Sequence, residues 1–305
     1  AYMGSVFSLK ADMLANENYI QTAKVRKNVK KLLELIGVRM KGPISAAANA
    51  RITWTWPSHP WDPVDGVGKS LSISPGDRVF TIASPEDGAQ IAYTLYKVLS
   101  SGKVDIANSN GNLTLTGEES EGALVTQTGG FTSTESSKSV SLTTGPVVEG
   151  SIDVFIEGAA DTSGVYKEVP YLYSASGATD KIFQISTDDD FKANVVFGDN
   201  LVGQSPSVND VYFITYRAGG GSRGNIKTGI INVTVPGTVV DADYIGDLTN
   251  TSMGTGGANA ETVEHAKRYA PQTFRSQDRL VTLPDFESFA NSYVSPYGSV
   301  GKASV

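Results

Sequence analysis

The chain has 305 residues, 40% of them hydrophobic and 19% charged, enough for two or three compact units with a sizeable core. Its lack of cysteine excludes disulfides, thiol catalysis and thiolate metal sites, and no apolar run approaches the roughly 20 residues of a membrane span. The net charge of −7 is unevenly placed: residues 1–45 carry eight Lys/Arg against three Asp/Glu, and the rest form an acidic body that argues against general nucleic-acid binding.

Residues 16–36 predict a helix, because Ile20, Val25, Val29, Leu32, Leu33 and Ile36 recur near a 3.6-residue period. Asn16 or Asn18 would cap its start and Gly37 its end. The opposite face carries Lys24, Arg26, Lys27, Lys30 and Lys31, which suits either a solvated surface or an acidic protein partner. From Ala46 the pattern changes to strands. Ala50, Ile52, Trp54 and Trp56 share one face, and a proline-rich loop holds His59, Trp61, Asp62 and Asp65. Short strands are expected at 71–73, 78–82, 92–99, 112–116, 123–128 and 139–143, with turn signals between them.

A second β unit begins near Val147, where Ile152, Val154 and Ile156 should face inward. GAADTSGVYKEV reads as a loop, followed by strands in KIFQIST and FKANVVF. Phe197–Asn225 then holds a strand of period-two alternation between two glycine-rich turns, covered on both faces by the look of its β-branched and aromatic residues. GIINVTV is a further strand, and 249–259 reads as a flexible connector. A helix at 260–270 should stop before Pro271, and Thr282 with Asp285 makes a capping box for the next. The predicted fold is therefore α+β, mostly β: an N-terminal helical segment (1–45), two antiparallel β domains of small barrel or sandwich type (46–146 and 147–248), and a C-terminal helical region (249–305). The chain opens at Ala1 and closes as GSVGKASV begins to alternate, as a processed or partial chain would.

Little in the sequence points to catalysis. Gly219, Gly221 and Gly224 satisfy G-x-G-x-x-G, but a dinucleotide site needs a helix after the glycines and NIKTGIINVTV has strand character, so a turn between strands is the better reading. Asp188–Asp190 lack the spacing of a calcium loop, and His59, Asp62 and Asp65 are too loosely spaced for a convincing metal site. Two histidines and no nucleophile elbow leave no nucleophile–base pair. Trp54, Trp56 and Trp61 offer an alternative, a receptor- or carbohydrate-binding surface, although sharing a face with Ile52 favours core packing.

One stretch, FGDNLVGQSPSVNDVYFITYRAGGGSRGN, resembles the signature of the baseplate J-like family, wedge components of contractile bacteriophage tails and related injection systems. The match falls on Phe197, Gly198, Asp199, Gly203, Pro206, Tyr216, Arg217, Gly219, Gly220, Gly221, Gly224 and Asn225, with Asn200 where a second glycine is usual. The C-terminal ETVEHAKRYAPQTFRSQDRLVTLPDF is similar to a second family segment through Ala270, Pro271, Arg279, Val281, Thr282, Asp285 and Phe286. The resemblance implies a non-enzymatic structural subunit of the virion tail baseplate, assembled in the host cytoplasm and without cofactors. Its implied partners are a second copy of itself within a wedge and other wedge subunits, in a ring that rearranges on contraction, with no nucleic acid and no membrane insertion. The N-terminal helix, through Lys24, Val25, Arg26, Lys27, Val29, Lys30, Lys31, Leu32, Leu33 and Ile36, would be the partner interface.

Overall fold

Strand β1 (Ala47–Thr55) buries Ala48, Ala50 and Ile52 and leaves Asn49 and Arg51 exposed, the alternation its sequence carries. The computed structural model describes residues 10, 14–55, 70–72, 79–83, 88–98, 103–105, 112–188, 192–239, 242–276, 281–292, 294–295 and 298–299. Trp56, His59, Trp61, Asp62, Asp65 and Arg279 lie outside these described residues. Beyond β1 the chain forms β2 (Ser70–Ser72), β3 (Val79–Ala83), β4 (Gln90–Val98), β5 (Lys103–Asp105) and β6 (Asn112–Glu121). Next come β7 (Ala123–Gly130), β8 (Ser139–Ser141), β9 (Asp153–Glu157), β10 (Gly164–Glu168), β11 (Ile182–Thr187), β12 (Ala193–Phe197) and β13 (Val211–Ala218). β14 (Asn232–Val239) and β15 (Ala242–Asn250) complete the body.

The fold is α+β and mostly β, with two curled sheets. The first is antiparallel in the order β14-β15-β1-β6-β4-β3, and the second, β7-β13-β9-β10-β11-β12-β8, is mixed because β10 and β11 run parallel. Its two edge strands meet through one side chain. The Gln127 amide on β7 donates to the Ser141 carbonyl on β8 at 3.1 Å and accepts from the Thr143 N–H at 3.0 Å. Inside lies a core of Ile152, Val154, Ile156, Tyr166, Phe183, Val195, Phe197, Ile214 and Tyr216, with Phe131 and Tyr166 edge-on to Phe197 at 5.5 Å. Each such side chain contributes about 1.5–3 kcal/mol by leaving water.

Sheet membership corrects the expected division at 146. Strands β7 and β8, expected in the first β domain, pair in the second sheet, whereas β14 and β15 pair in the first. Alternation reports which face a residue takes but not which sheet its strand joins, and β6 and β7 are separated only by Gly122. The supposed loop GAADTSGVYKEV contains β10, and β15 extends to the start of the supposed connector. The connector itself is tied down. Residues 251–258 run back along β1, with Ala47 and Thr255 exchanging N–H···O bonds of 2.9 and 3.0 Å and Ile44 and Ala258 doing the same at 2.9 and 3.2 Å.

The longer helices among the described residues are α1 (Arg26–Leu35), α2 (Val263–Ser276) and α3 (Leu283–Ser292), and a short strand pair, Val294–Ser295 with Gly298–Ser299, follows the last. The first is shorter than expected, since residues 17–25 form turns, and neither Asn16 nor Asn18 caps it. Instead the Glu17 carboxylate accepts the N–H groups of Lys24 at 2.9 Å and Val25 at 3.2 Å, together with the Asn28 amide at 2.9 Å. Gly37 takes the expected left-handed turn at φ 77°. The second helix continues through Pro271 rather than stopping before it. Val29 and Leu33 of α1 pack on Ala266 and Ala270 of α2 around Ala23 and Met40, so the two terminal segments share a core.

Candidate functional site

The glycine-rich stretch is built around β13. Tyr212, Ile214 and Tyr216 turn toward the interior of the second sheet, and the Tyr216 hydroxyl accepts the Thr144 N–H at 3.1 Å. Cover on both faces holds on one side only: Ile214 and Tyr216 are fully buried, while Val211 is exposed and Phe213 meets Phe155 at 6.3 Å between ring centroids. The first turn is set by side chains. Asp199 accepts the N–H groups of Leu201 and Val202 at 2.9 and 2.8 Å, which hold its carboxyl below the ordinary carboxylate value. Asn200 adopts a left-handed φ of 67° and its side-chain oxygen accepts the Ser205 N–H at 2.9 Å, a bond that a glycine could not form.

After β13 the chain crosses between the sheets. Gly219, Gly220 and Gly221 have φ of 143°, 92° and 128°, a run open only to glycine. Their N–H groups bond to the Pro146 carbonyl at 2.9 Å, the Glu121 carboxyl at 2.8 Å and the Ile44 carbonyl at 3.0 Å. A phosphate cradle needs those three donors free, and no helix opens here; a single 3₁₀ turn at Ser222–Gly224 leads to Asn225. The Asn225 amide donates to the Gly257 carbonyl at 2.8 Å and its oxygen accepts the Gly257 N–H at 3.0 Å, copying a strand pairing with one side chain. Gly224 is needed for a different reason, since a Cβ there would lie 2.9 Å from the Cβ atoms of both Ala46 and Glu121.

Arg217 staples the opposite side of the crossing. Buried at the end of β13, it donates from one nitrogen to the Ser120 and Gly122 carbonyls, each at 3.1 Å, where β6 gives way to β7. Around it lie acids that the sequence reading did not single out. Glu121 is buried, and burial raises its carboxyl to about 7 although the Gly220 N–H and Arg217 pull the other way. Glu119 is fully buried, neither of its oxygens has a hydrogen-bond partner among the described residues, and burial raises it to about 8. Tyr93 donates to the Gly224 carbonyl, and burial followed by the charges of Glu121 and Glu119 moves its hydroxyl well above the ordinary value. Arg217, Gly219, Gly220, Gly221, Gly224 and Asn225 thus all serve the junction between the sheets. Phe197 fills the second sheet's core, and the Pro206 carbonyl accepts from the buried Lys138.

The expected partner interface on the first helix divides. Val29 and Leu33 are buried within the chain, and Leu32 and Ile36 pack against the same core. Arg26 donates to the Glu261 carbonyl at 2.6 Å, and the Lys30 ammonium donates to Thr187 Oγ1 at 2.5 Å. An amphipathic helix presents the same periodicity whether its apolar stripe meets its own chain or another. What remains outward on the helix is Lys27, Lys31 and Leu35, four residues apart along one face, with Lys24 and Val25 exposed just before it. The C-terminal helices expose Phe274, Leu283, Phe286 and Phe289. Thr282 and Asp285 form the expected cap, with the Asp285 carboxylate accepting the Thr282 N–H at 2.8 Å and lying below its ordinary value for that reason.

Asp188 accepts the Lys192 N–H at 2.8 Å, and His265 lies 2.6 Å from a Glu261 oxygen on the exposed side of α2. Comparison with models of known protein families finds no match, and comparison with curated proteins finds none either.

Proposed function

We propose that this chain is a structural, non-catalytic subunit of a contractile-tail baseplate wedge, assembling through protein–protein contacts into a ring around the tail hub. The observation that supports this reading best is how its polar and apolar groups are distributed. The motif that carries the family resemblance is consumed in joining the two sheets, whereas the paired terminal helices leave Lys24, Lys27, Lys31, Leu35, Phe274, Phe286 and Phe289 outward. A rigid β body then sets spacing and the helical end makes the contacts. Large apolar side chains grouped on a surface favour association.

The partner is proposed to be a subunit with an acidic face, another copy of this chain among them, because the body beyond residue 45 carries a large excess of Asp and Glu. Light scattering on the purified chain, alone and with co-expressed wedge subunits, tests the proposal. Dimers or mixed complexes that dissociate when Lys27 and Lys31 are both changed to Glu are the expected result. A chain that stays monomeric under all these conditions would overturn it. The receptor-binding alternative rests on Trp54, on β1, and on Trp56 and Trp61, which lie outside the described residues, and no geometry favours it.

A further inference from the structure

The junction holds two buried carboxyls that assembly contacts do not explain. Glu119 and Glu121 are two residues apart on β6 and so share a face of the strand. Both act on Tyr93, on β4, whose hydroxyl reaches Gly224; Glu121 also faces Arg217 from β13 and accepts the Gly220 N–H of the crossing loop. From β1 the neighbour in register with Glu119 is Ala48, and Ala46 adds only a methyl group and a carbonyl bonded to the Glu121 N–H at 2.9 Å. Across residues 254–257 the facing chain is Gly254 and Gly257, packed on the Gly224 and Gly221 carbonyls. Among the described residues the charged and titratable groups at the junction are therefore Glu119, Glu121, Tyr93 and Arg217. One cation faces two acids.

We infer that Glu119 and Glu121 form a proton-operated latch between the two sheets, closed while the pair holds a proton and loosened when both carboxyls ionise. Arg217 compensates one negative charge at Glu121, but among the described residues Glu119 has no such neighbour, and an unpaired buried charge is relieved by admitting water. The place where water would enter adjoins Gly122, at φ 104°, and Gly219–Gly221, which carry the chain between the two sheets. The titration range fits. Burial moves these carboxyls from 4.5 to about 8 and about 7, so the folded chain holds more protons than the unfolded chain between those limits. By linkage, the junction is firmest in acid and its stability is lost as pH rises through 7 to 8. This is opposite in sign to the usual surface carboxylate.

Because the chain contains no cysteine, two introduced thiols report on the sheets without background. Spin labels at Arg51→Cys on β1 and Thr128→Cys on β7 measure the separation in the full chain at about pH 6 and about pH 9, on either side of the titration. In the parent protein the distance distribution should broaden or lengthen at the higher pH, and in Glu119→Gln it should stay as it is at the lower. An unchanged distribution in the parent, or an equal response in Glu119→Gln, overturns the latch. Should Glu119→Gln fail to fold, carbon NMR of side-chain-labelled glutamate in the parent chain decides the matter. A glutamate carboxyl with a midpoint above about pH 6.5 supports the latch, and midpoints all in the ordinary range near 4.3 refute it.

Discussion

The junction and the terminal helical pair are both joined by close packing between distant parts of the chain, yet they treat their polar groups in opposite ways. At the junction the three consecutive glycine N–H groups, the Arg217 guanidinium and both functions of the Asn225 amide find partners inside the protein. In the helical pair the buried side is apolar, with Val29, Leu33 and Met40 against Ala23, Ala266 and Ala270, and Lys24, Lys27 and Lys31 point outward. Sequence tolerance follows from this contrast. A position with several simultaneous bonds and no spare volume admits one residue, while an outward lysine admits almost any.

The contrast can be broken most forcefully at Gly224. Gly224→Val would press a side chain onto Ala46 and Glu121, and overpacking of this kind should cost about 3 kcal/mol or more, read as a lower urea midpoint. Arg217→Met keeps the stem and removes the guanidinium, leaving the Ser120 and Gly122 carbonyls and Glu121 without it. A loss of about 2–4 kcal/mol is expected, larger at pH 8 than at pH 6, where Glu121 is partly neutral. On the helical side, Lys30→Glu breaks the bonds to Thr187 and should cost about 1–3 kcal/mol. The exposed pair Lys27→Glu and Lys31→Glu should leave stability within about 0.5 kcal/mol of the parent while changing association, which thermal unfolding beside light scattering would separate. The smallest effect is local. Asp285→Asn weakens the α3 cap, so amide exchange at residues 282–286 should quicken near neutral pH and match the parent in acid, where Asp285 itself is protonated and its contribution is lost.

Much of the fold was legible because it follows from alternation. Val154 and Ile156 turn inward as read, and Thr282 with Asp285 caps its helix as read. The glycines at 219–221 lead the chain out of β13 in a turn rather than into a helix, as their context reads, and they are fixed there by their bonded N–H groups. Sheet membership was not legible, because it depends on which edge a strand meets after the bend at Gly122. Nor were Glu119 and Glu121, which sit in the unremarkable run GEESE; their burial is set by the tertiary fold and leaves no mark on that run. The basic helix was read in the right place but with too many of its residues turned outward, since its periodicity cannot name the surface it packs on.

The order of the strands carries one more implication. All seven strands of the second sheet come from one uninterrupted span, 123–218, while the first sheet is made from what precedes and follows it. The two ends of that span lie side by side: Ala123 and Ala218 are register partners, and a Cβ on Gly219 would stand 2.7 Å from the Gly122 Cα. The span is thus an insertion with its entry and exit touching, a cassette that could be lengthened, exchanged or excised with a short splice from Gly122 to Gly219 while the host sheet keeps its strand order. Lineages elaborating such a chain could vary the cassette independently of the scaffold that receives it.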